Sequence, residues 1–216
     1  MEVTKYCICC GEDVPYNRIE REGKIELTCT YCGFPLPDEE KTVVPMEDIS
    51  SKEVTSIEDT STDSEPVQAV PKPMEKFDYV LFADDSKFTR KMIKDSLIEK
   101  DLANEILEFE NGLELTAGFA KLASEKKVLD AVIIIDINMP VMDGIAAAKF
   151  LRNIESQKGI PHLPMAFFSS VKADENLRDL LVELAPAHYV NKASDPDPDK
   201  LLERLEQLLS YFMQMR

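Results

Sequence analysis

The sequence predicts an α/β fold with a five-stranded parallel, doubly wound sheet, preceded by a small cysteine-rich module. Apolar, strand-like segments alternate with helix-like segments across residues 77–216, and all five cysteines lie within the first 32 residues. The region between is rich in Asp, Glu, Ser, Thr and Pro, and it has too few apolar residues to form a core of its own. We therefore predict a cysteine module at 1–36, an acidic flexible linker at 37–76 and an α/β domain at 77–216.

The central strand of the predicted sheet is the clearest element. Residues 132–135 are four β-branched residues without polar alternation, which is typical of a parallel strand buried on both faces. Asp136 follows at the carboxyl end, and Pro140 and Gly144 then break the strand. Open α/β sheets bind their ligands at this edge, so Asp136 is a candidate site residue. Taken alone, Asp136 is equally compatible with a simple turn cap.

Apolar runs and helix signals divide the rest of the domain into alternating elements. The predicted strands cover 79–83, 104–109, 128–136, 165–168 and 187–190, and the predicted helices cover 86–100, 112–126, 143–154, 174–184 and 197 onward. Strict alternation of this kind predicts parallel strands joined by right-handed helical crossovers.

Polar side chains follow several of these strands. Asp84 and Asp85 follow the first, Asp136 the third, Ser169 the fourth and Lys192 the fifth. Because the carboxyl ends of parallel strands share one edge, we expect these side chains to converge. Crowded carboxylates repel each other unless a cation neutralises them, and carboxylate oxygens suit Mg²⁺. With a lysine and a serine beside it, such a site can place a phosphoryl group on an aspartate nucleophile.

Four motifs in this domain, FADDS, DINMPVMDG, FFSS and YVNK, carry a resemblance to a known family. Residues 77–210 resemble the receiver domain of two-component response regulators, which has a flavodoxin-like fold. The resemblance implies that Asp136 accepts a phosphoryl group from a histidine kinase or phosphotransfer protein. It also implies that Mg²⁺ is held by Asp85, Asp136 and the backbone carbonyl of Asn138, with Asp84 acting through water.

The same resemblance implies roles for three further residues. Lys192 contacts the phosphoryl group, Ser169 moves toward it, and Tyr189 is an aromatic switch residue on the fifth strand. It implies a signalling protein and not an enzyme with an external substrate, and the output is expected through contacts with an unidentified protein partner. Each of these side chains also has a simpler interpretation: Ser169 as a turn residue, Lys192 as a solvated charge and Tyr189 as a core residue.

The cysteines form two C-x-x-C pairs, Cys7 with Cys10 and Cys29 with Cys32, separated by 18 residues. Two pairs at this distance predict tetrahedral Zn²⁺ ligation, and the segment resembles the zinc-ribbon family over about 30 residues. Cys9 is an extra thiol that could replace a neighbour as a ligand. A disulfide or thioredoxin-like redox site is the alternative, although no βαβ pattern surrounds either pair.

Glycines and a short hairpin complete the predicted module. Gly11 and Gly33 each follow the second cysteine of a pair, where glycine allows a tight turn around a metal. Residues 18–22 and 24–28 are predicted to pair as strands around Gly23. The partner of the module is expected to be a protein.

The net charge of −16 limits the classes of partner. Each of the three regions holds more acidic than basic residues, so the attraction that drives nucleic-acid binding is missing. No apolar run approaches a membrane span and no signal peptide opens the chain, so the expected location is the cytoplasm. The apolar end of the last helix, from Tyr211 to Met215, is expected to contact a partner or a second copy of the chain, or to fray.

Two other functions remain open from the sequence. An aspartyl-phosphate hydrolase would also use Asp136 as a nucleophile, but relatives of that type place a second aspartate two residues later, where this chain has Asn138. A zinc-ribbon nucleic-acid binder with a regulatory receiver is the other alternative. Turnover of a phosphomonoester would favour the first, and salt-sensitive DNA retention would favour the second.

Overall fold

The computed structural model describes residues 4–21, 24–37, 76–125, 130–170, 172–192 and 197–215. The predicted linker lies outside these residues, except for its two ends, Pro37 and Lys76. The N-terminal residues up to Pro37 and those from Lys76 onward belong to one compact unit. The predicted boundaries of the three regions therefore stay predictions.

The N-terminal part is a small antiparallel sheet of four strands. In chain order they are β1 (Thr4–Cys7), β2 (Glu12–Arg21), β3 (Lys24–Cys29) and β4 (Pro35–Leu36). The register of β2 and β3 runs from Tyr16 opposite Cys29 to Arg21 opposite Lys24, which is the hairpin that the sequence predicts. We call residues 4–37 the cysteine module.

The described residues from Lys76 onward form five strands and five helices in strict alternation. The strands are β5 (Phe77–Ala83), β6 (Ala103–Phe109), β7 (Ala131–Asp136), β8 (Met165–Ser169) and β9 (Ala187–Asn191). The helices are α1 (Lys87–Glu99), α2 (Gly112–Glu125), α3 (Gly144–Lys158), α4 (Glu175–Glu183) and α5 (Pro198–Gln214). All strand pairs are parallel in the order β6-β5-β7-β8-β9, so the predicted five-stranded parallel fold is confirmed.

Helices cover both faces of this sheet, which explains why its central strands are apolar throughout. Every residue of β7 is buried. On one face α1 approaches α5, where Ser96 donates a hydrogen bond to Glu206 over 3.2 Å. On the other face α2 packs against α3, and α3 approaches α4 through the exposed pair of Lys149 and Glu183. The ends of β5 and β7 bring Asp84 and Asp136 to the carboxyl edge of this sheet.

Local capping sets where the helices begin. Ser86 caps α1 by accepting a hydrogen bond from the backbone N–H of Thr89, as the sequence predicts. Asp143, Asp174 and Asp197 cap α3, α4 and α5 in the same way. Each cap satisfies a backbone N–H in the first turn of its helix.

A buried ion pair ties α3 to the loops at the opposite edge. The guanidinium of Arg152 lies 2.7 Å from the carboxylate of Glu155, and it also donates to the backbone carbonyls of Leu163 and Leu184. Glu155 is fully buried and accepts a hydrogen bond from the N–H of Leu163. Across the part of the chain that the structure describes, no helix has both the length and the apolar character to span a bilayer.

Candidate functional site

Adjacent strands bring the predicted acidic residues to one edge of the sheet. Asp84 follows β5, and Asp136 ends β7, the neighbouring strand. Carboxylate oxygens of Asp84, Asp85 and Asp136 all lie within 4.8 Å of one another. Asp84 is fully buried and Asp136 is 6% exposed, whereas Asp85 faces solvent. The arrangement is a shallow acidic pocket with its oxygens close enough to share one cation.

Lys192, which directly follows the edge strand β9, reaches the acidic residues. Its Nζ lies 2.6 Å from Oδ2 of Asp84 and 3.0 Å from Oδ2 of Asp136. The backbone N–H of Lys192 donates to the carbonyl of Ser169, which holds the lysine against β8. The ammonium also lies 5.1 Å from the ring centre of Phe168. One cation therefore bridges two of the three carboxylates.

Backbone contacts hold Asp84 in place. Its Oδ1 accepts a hydrogen bond from the N–H of Ser86, and its backbone carbonyl accepts one from the guanidinium of Arg90 at 2.6 Å. Arg90 is buried on α1 and also pairs with Glu110. Arg90 is not among the residues predicted from the sequence, although a charged residue four positions after the Ser86 cap, on the apolar side of its helix, was an available signal.

The surroundings of Asp136 shift its acidity in opposing directions. Burial raises the pKa of the Asp136 carboxyl, while the charge of Lys192 works against that rise. The backbone nitrogen of Asn138 lies 3.4 Å from Oδ1 of Asp136, and Asn138 itself is exposed. Asp136 is thus a largely buried carboxyl group with the ammonium of Lys192 beside it, an environment that suits a nucleophile.

The loop after Asp136 depends on a glycine. A Cβ atom at Gly144 would lie 2.1 Å from the backbone oxygen of Asp136 and 2.8 Å from a methyl group of Ile135. The N–H of Gly144 also donates to the carbonyl of Ile137. The close approach brings the start of α3 against the end of β7, so the sequence pattern D-G serves packing and capping together.

Ser169 and Tyr189 lie on the two strands beyond Asp136. Phe168 is opposite Asp136 in the register, so Ser169 extends one residue further at the same edge, and it is fully buried. Tyr189 lies opposite Phe167 on β9 and is 1% exposed. Burial raises the pKa of the Tyr189 phenol, which stays protonated at neutral pH.

The second cluster is formed by the four predicted cysteines. The Sγ atoms of Cys7, Cys10, Cys29 and Cys32 lie within 4.8 Å of one another, with Cys7 to Cys32 at 3.6 Å and Cys10 to Cys29 at 3.7 Å. A tetrahedral zinc with Zn–S bonds of about 2.3 Å requires S–S separations of about 3.8 Å. The observed separations fit that geometry.

Cys9 is not part of the cysteine cluster. It is fully buried, and burial raises the pKa of its thiol. Gly11 and Gly33, which follow the two pairs, have φ angles of 71° and 75°, in the left-handed region that favours glycine.

The cysteine module packs on the face formed by α4, β9 and α5, which our sequence analysis did not predict. Phe34 contacts the rings of His188 and Tyr211, with ring centres 5.3 and 5.0 Å apart. The guanidinium of Arg178 donates to the carbonyl of Thr30 over 2.9 Å. Tyr211, expected to contact a partner or a second copy or to lie in a frayed end, contacts the module of its own chain.

With this geometry established, the comparisons with known proteins decide the family. The family model for the response regulator receiver domain matches residues 80–206. The chain belongs to this receiver family. The predicted function in phosphorelay signalling, as a response regulator, is confirmed at this level, and the predicted resemblance is confirmed for the receiver. The zinc-ribbon assignment of the module stays a prediction.

Curated relatives match part of the chain. The chain is 33% identical over 115 residues to a protein-glutamate methylesterase/protein-glutamine glutaminase of Methanococcoides burtonii, covering 53% of this chain and 29% of that protein. It is 33% identical over 81 residues to the chemotaxis protein CheY of Bacillus subtilis, covering 38% of this chain and 62% of that protein. The chain thus spans under a third of the methylesterase and under two thirds of CheY.

Solved structures show the same fold. The response regulator domain of Thermotoga maritima CheB aligns with a TM-score of 0.51 at 21% identity, covering 64% of this chain and 98% of that chain. The receiver domain of the histidine kinase CKI1 from Arabidopsis thaliana, complexed with Mg²⁺, aligns with a TM-score of 0.51 at 20% identity, covering 62% and 90%. At these identities the likeness establishes the receiver fold.

Proposed function

We propose that the receiver domain accepts a phosphoryl group on Asp136 from a phosphohistidine of a histidine kinase or phosphotransfer protein. The observation that carries the proposal is the buried Asp136 carboxylate with Lys192 Nζ 3.0 Å away and two more aspartates beside it. An oxygen of Asp136 forms the new bond to phosphorus as the bond to the histidine nitrogen breaks, and the ring leaves with that electron pair.

The acidic pocket fits Mg²⁺. Asp84, Asp85 and Asp136 offer oxygens within one cation's reach, and we assign the backbone carbonyl of Asn138 as a further ligand, with Asp84 acting through water. When bound, Mg²⁺ supplies positive charge to the phosphoryl oxygens. The CKI1 receiver, whose structure contains Mg²⁺, has the same fold and supports this assignment.

Lys192 would then bind a phosphoryl oxygen. In the structure its ammonium already lies between Asp84 and Asp136, so phosphoryl transfer needs only a small change in its position. We assign Ser169, at the end of the neighbouring strand, as the hydroxyl that moves toward the phosphoryl group. Tyr189 is assigned as the switch residue whose shift changes the α4–β9–α5 face, by a population shift between two states.

For the cysteine module we propose a structural Zn²⁺ site of four thiolates, Cys7, Cys10, Cys29 and Cys32. The S–S separations near 3.7 Å and the two left-handed glycines support it. The buried set offers four ligands and no open position for a substrate, so its role is structural.

Intact-mass measurement tests the phosphoacceptor. Full-length protein is incubated with Mg²⁺ and a small acyl-phosphate donor, and we expect a single phosphoryl adduct. Asp136→Asn should give none. Asp143→Asn is the matched control, because asparagine keeps the cap of α3, and it should still be modified. An adduct on Asp136→Asn, or none on the wild type, would contradict the proposal.

A further inference from the structure

The cysteine module makes one backbone hydrogen bond to β9, an edge strand of the receiver sheet. β9 is the edge strand, and alternate residues of a parallel strand face opposite neighbours. The N–H of Lys192 faces β8, so Asn191 faces the open side. There, the N–H of Asn191 donates to the carbonyl of Cys9 over 2.9 Å, and the carbonyl of Asn191 accepts from Arg204 of α5.

The acceptor belongs to the metal-binding turn itself. Cys9 lies between the ligands Cys7 and Cys10, in a turn closed by a hydrogen bond from the N–H of Gly11 to the carbonyl of Cys7. Holding both thiolates on one metal fixes the direction of the Cys9 carbonyl between them. The module therefore has its most rigid part, when loaded, against the end of β9.

The residue held in this way immediately precedes the lysine of the phosphoacceptor site. Lys192 Nζ lies 2.6 and 3.0 Å from Asp84 and Asp136, and a displaced lysine would lose one or both contacts. Because Asn191 is fixed from both its N–H and its carbonyl, the module and α5 together determine where the backbone of Lys192 starts.

Three further contacts keep the module in place on this face. Phe34 packs against both His188 and Tyr211, Arg178 donates to the carbonyl of Thr30, and Lys172 lies 3.1 Å from Glu12. Burial lowers the pKa of His188 to about 4, so its ring is neutral and packs as an aromatic group. Lys172 lies in the loop after β8 and Arg178 in α4, so with β9 and α5 the contacts reach four parts of the receiver.

We propose that the metal-loaded module positions Lys192 through the hydrogen bond between Cys9 and Asn191, so that Zn²⁺ binding and phosphoryl binding at Asp136 strengthen each other. Cys9 and Asn191 are positioning residues and do not touch the phosphoryl group. The inference rests on the proposed function of Asp136. Linkage requires that each ligand raises the affinity for the other by the same factor, and couplings of this kind are commonly about 5- to 150-fold.

Beryllofluoride, a stable phosphoryl mimic, tests the coupling on the full-length chain. Its affinity in the presence of Mg²⁺ is measured by ¹⁹F NMR for zinc-loaded and chelator-stripped protein, and zinc affinity is measured by chelator competition with and without beryllofluoride. We expect about tenfold weaker beryllofluoride binding after stripping, and the same factor in zinc affinity. Equal affinities, or tighter binding by stripped protein, would overturn the inference.

A pair of variants at one position isolates the hydrogen bond. Asn191→Pro removes both the side chain and the N–H that donates to Cys9, whereas Asn191→Ala removes the side chain and keeps that N–H. We expect Asn191→Pro to bind one zinc yet to bind beryllofluoride like stripped protein, and Asn191→Ala to resemble the wild type. Identical behaviour of the two variants would overturn the inference.

Tyr211→Ala is a second test of the coupling, and it changes no residue of the cysteine cluster, the Asp136 site or β9. It removes a ring contact with Phe34, so we expect it to reduce the coupling factor while zinc still binds. An unchanged coupling factor would count against the inference. If no form of the protein binds beryllofluoride, the proposed function of Asp136 itself fails, an outcome distinct from equal binding by loaded and stripped protein.

Discussion

The carboxylate cluster and the cysteine cluster both gather side chains that repel each other when ionised, but the chain holds them by different means. Asp84 and Asp136 extend from β5 and β7, strands that are almost completely buried in a large apolar core. The described part of the cysteine module buries only four apolar residues besides its cysteines: Val14, Leu27, Phe34 and Leu36. So small a core cannot hold four thiolates together.

By our proposals, the two sites therefore differ in whether they form before or upon binding their ions. The sheet fixes the acidic pocket before any cation arrives, and Lys192 supplies part of the neutralising charge. The cysteine module gains most of its folding free energy from metal, by our proposal. Phe34, the one of its four apolar residues that packs on aromatic groups of β9 and α5, links the module to the stable domain.

Zinc removal is expected to have the largest effect. Structural zinc contributes about 10–16 kcal/mol of apparent binding free energy in small zinc domains, so chelation should expose the module's thiols to a colorimetric thiol reagent. Native mass spectrometry should find one zinc in the wild type and in Cys9→Ser, and none in Cys10→Ser. Zinc loss in Cys9→Ser would show that Cys9 is a ligand and would break the comparison.

The receiver should instead be most sensitive at its buried ion pair. Glu155→Ala leaves the guanidinium of Arg152 buried without its carboxylate, and we expect the free energy of unfolding to fall by about 3–5 kcal/mol. Lys149 is on the same helix as Glu155. Lys149→Ala breaks its exposed pair with Glu183 of α4 and should lower the free energy of unfolding by about 0–1 kcal/mol. Urea titration of the receiver transition measures both, and equal losses would contradict the expectation.

Packing beneath the phosphoacceptor should have a smaller effect on stability. Gly144→Ala places a methyl group against the backbone oxygen of Asp136, so we expect about 1–3 kcal/mol lower stability and slower phosphoryl transfer. Gly159→Ala is the control, with no atom within 4 Å of the new methyl group and a strained φ of 66°. It should lower stability by about 1 kcal/mol and leave transfer unchanged, as thermal unfolding and intact-mass time courses can check.

The smallest expected change is a shift in titration. Burial raises the pKa of Asp136, and Lys192 opposes that rise, so Lys192→Ala should raise the pKa further. The reactive carboxylate would then be lost at a higher pH as the solution is acidified. Carboxyl ¹³C NMR titration without Mg²⁺ measures this, with Lys94→Ala, which breaks a distant pair with Glu108, as the control. An unchanged Asp136 pKa in Lys192→Ala would show that the lysine charge does not reach it.

The sequence by itself determined the receiver fold and named the residues that meet at its edge. Alternating strands and helices permit essentially one parallel arrangement, and the residue after each strand must lie at the shared edge. The C-x-x-C spacing likewise predicted which four thiols meet, because short turns with left-handed glycines leave little freedom. Each of these predictions depends on patterns within a few residues of the chain.

Only the tertiary structure decided where the cysteine module lies and which residues support the site. Arg178 and Thr30 are 148 positions apart, and the module's contact with β9 is made by the backbone of Cys9 and Asn191. Backbone hydrogen bonds leave no trace in residue type, and an aromatic residue such as Phe34 could equally face solvent or a partner. The physical reason is that the docking of a preformed surface depends on the summed shape of α4, β9 and α5, which no local pattern encodes.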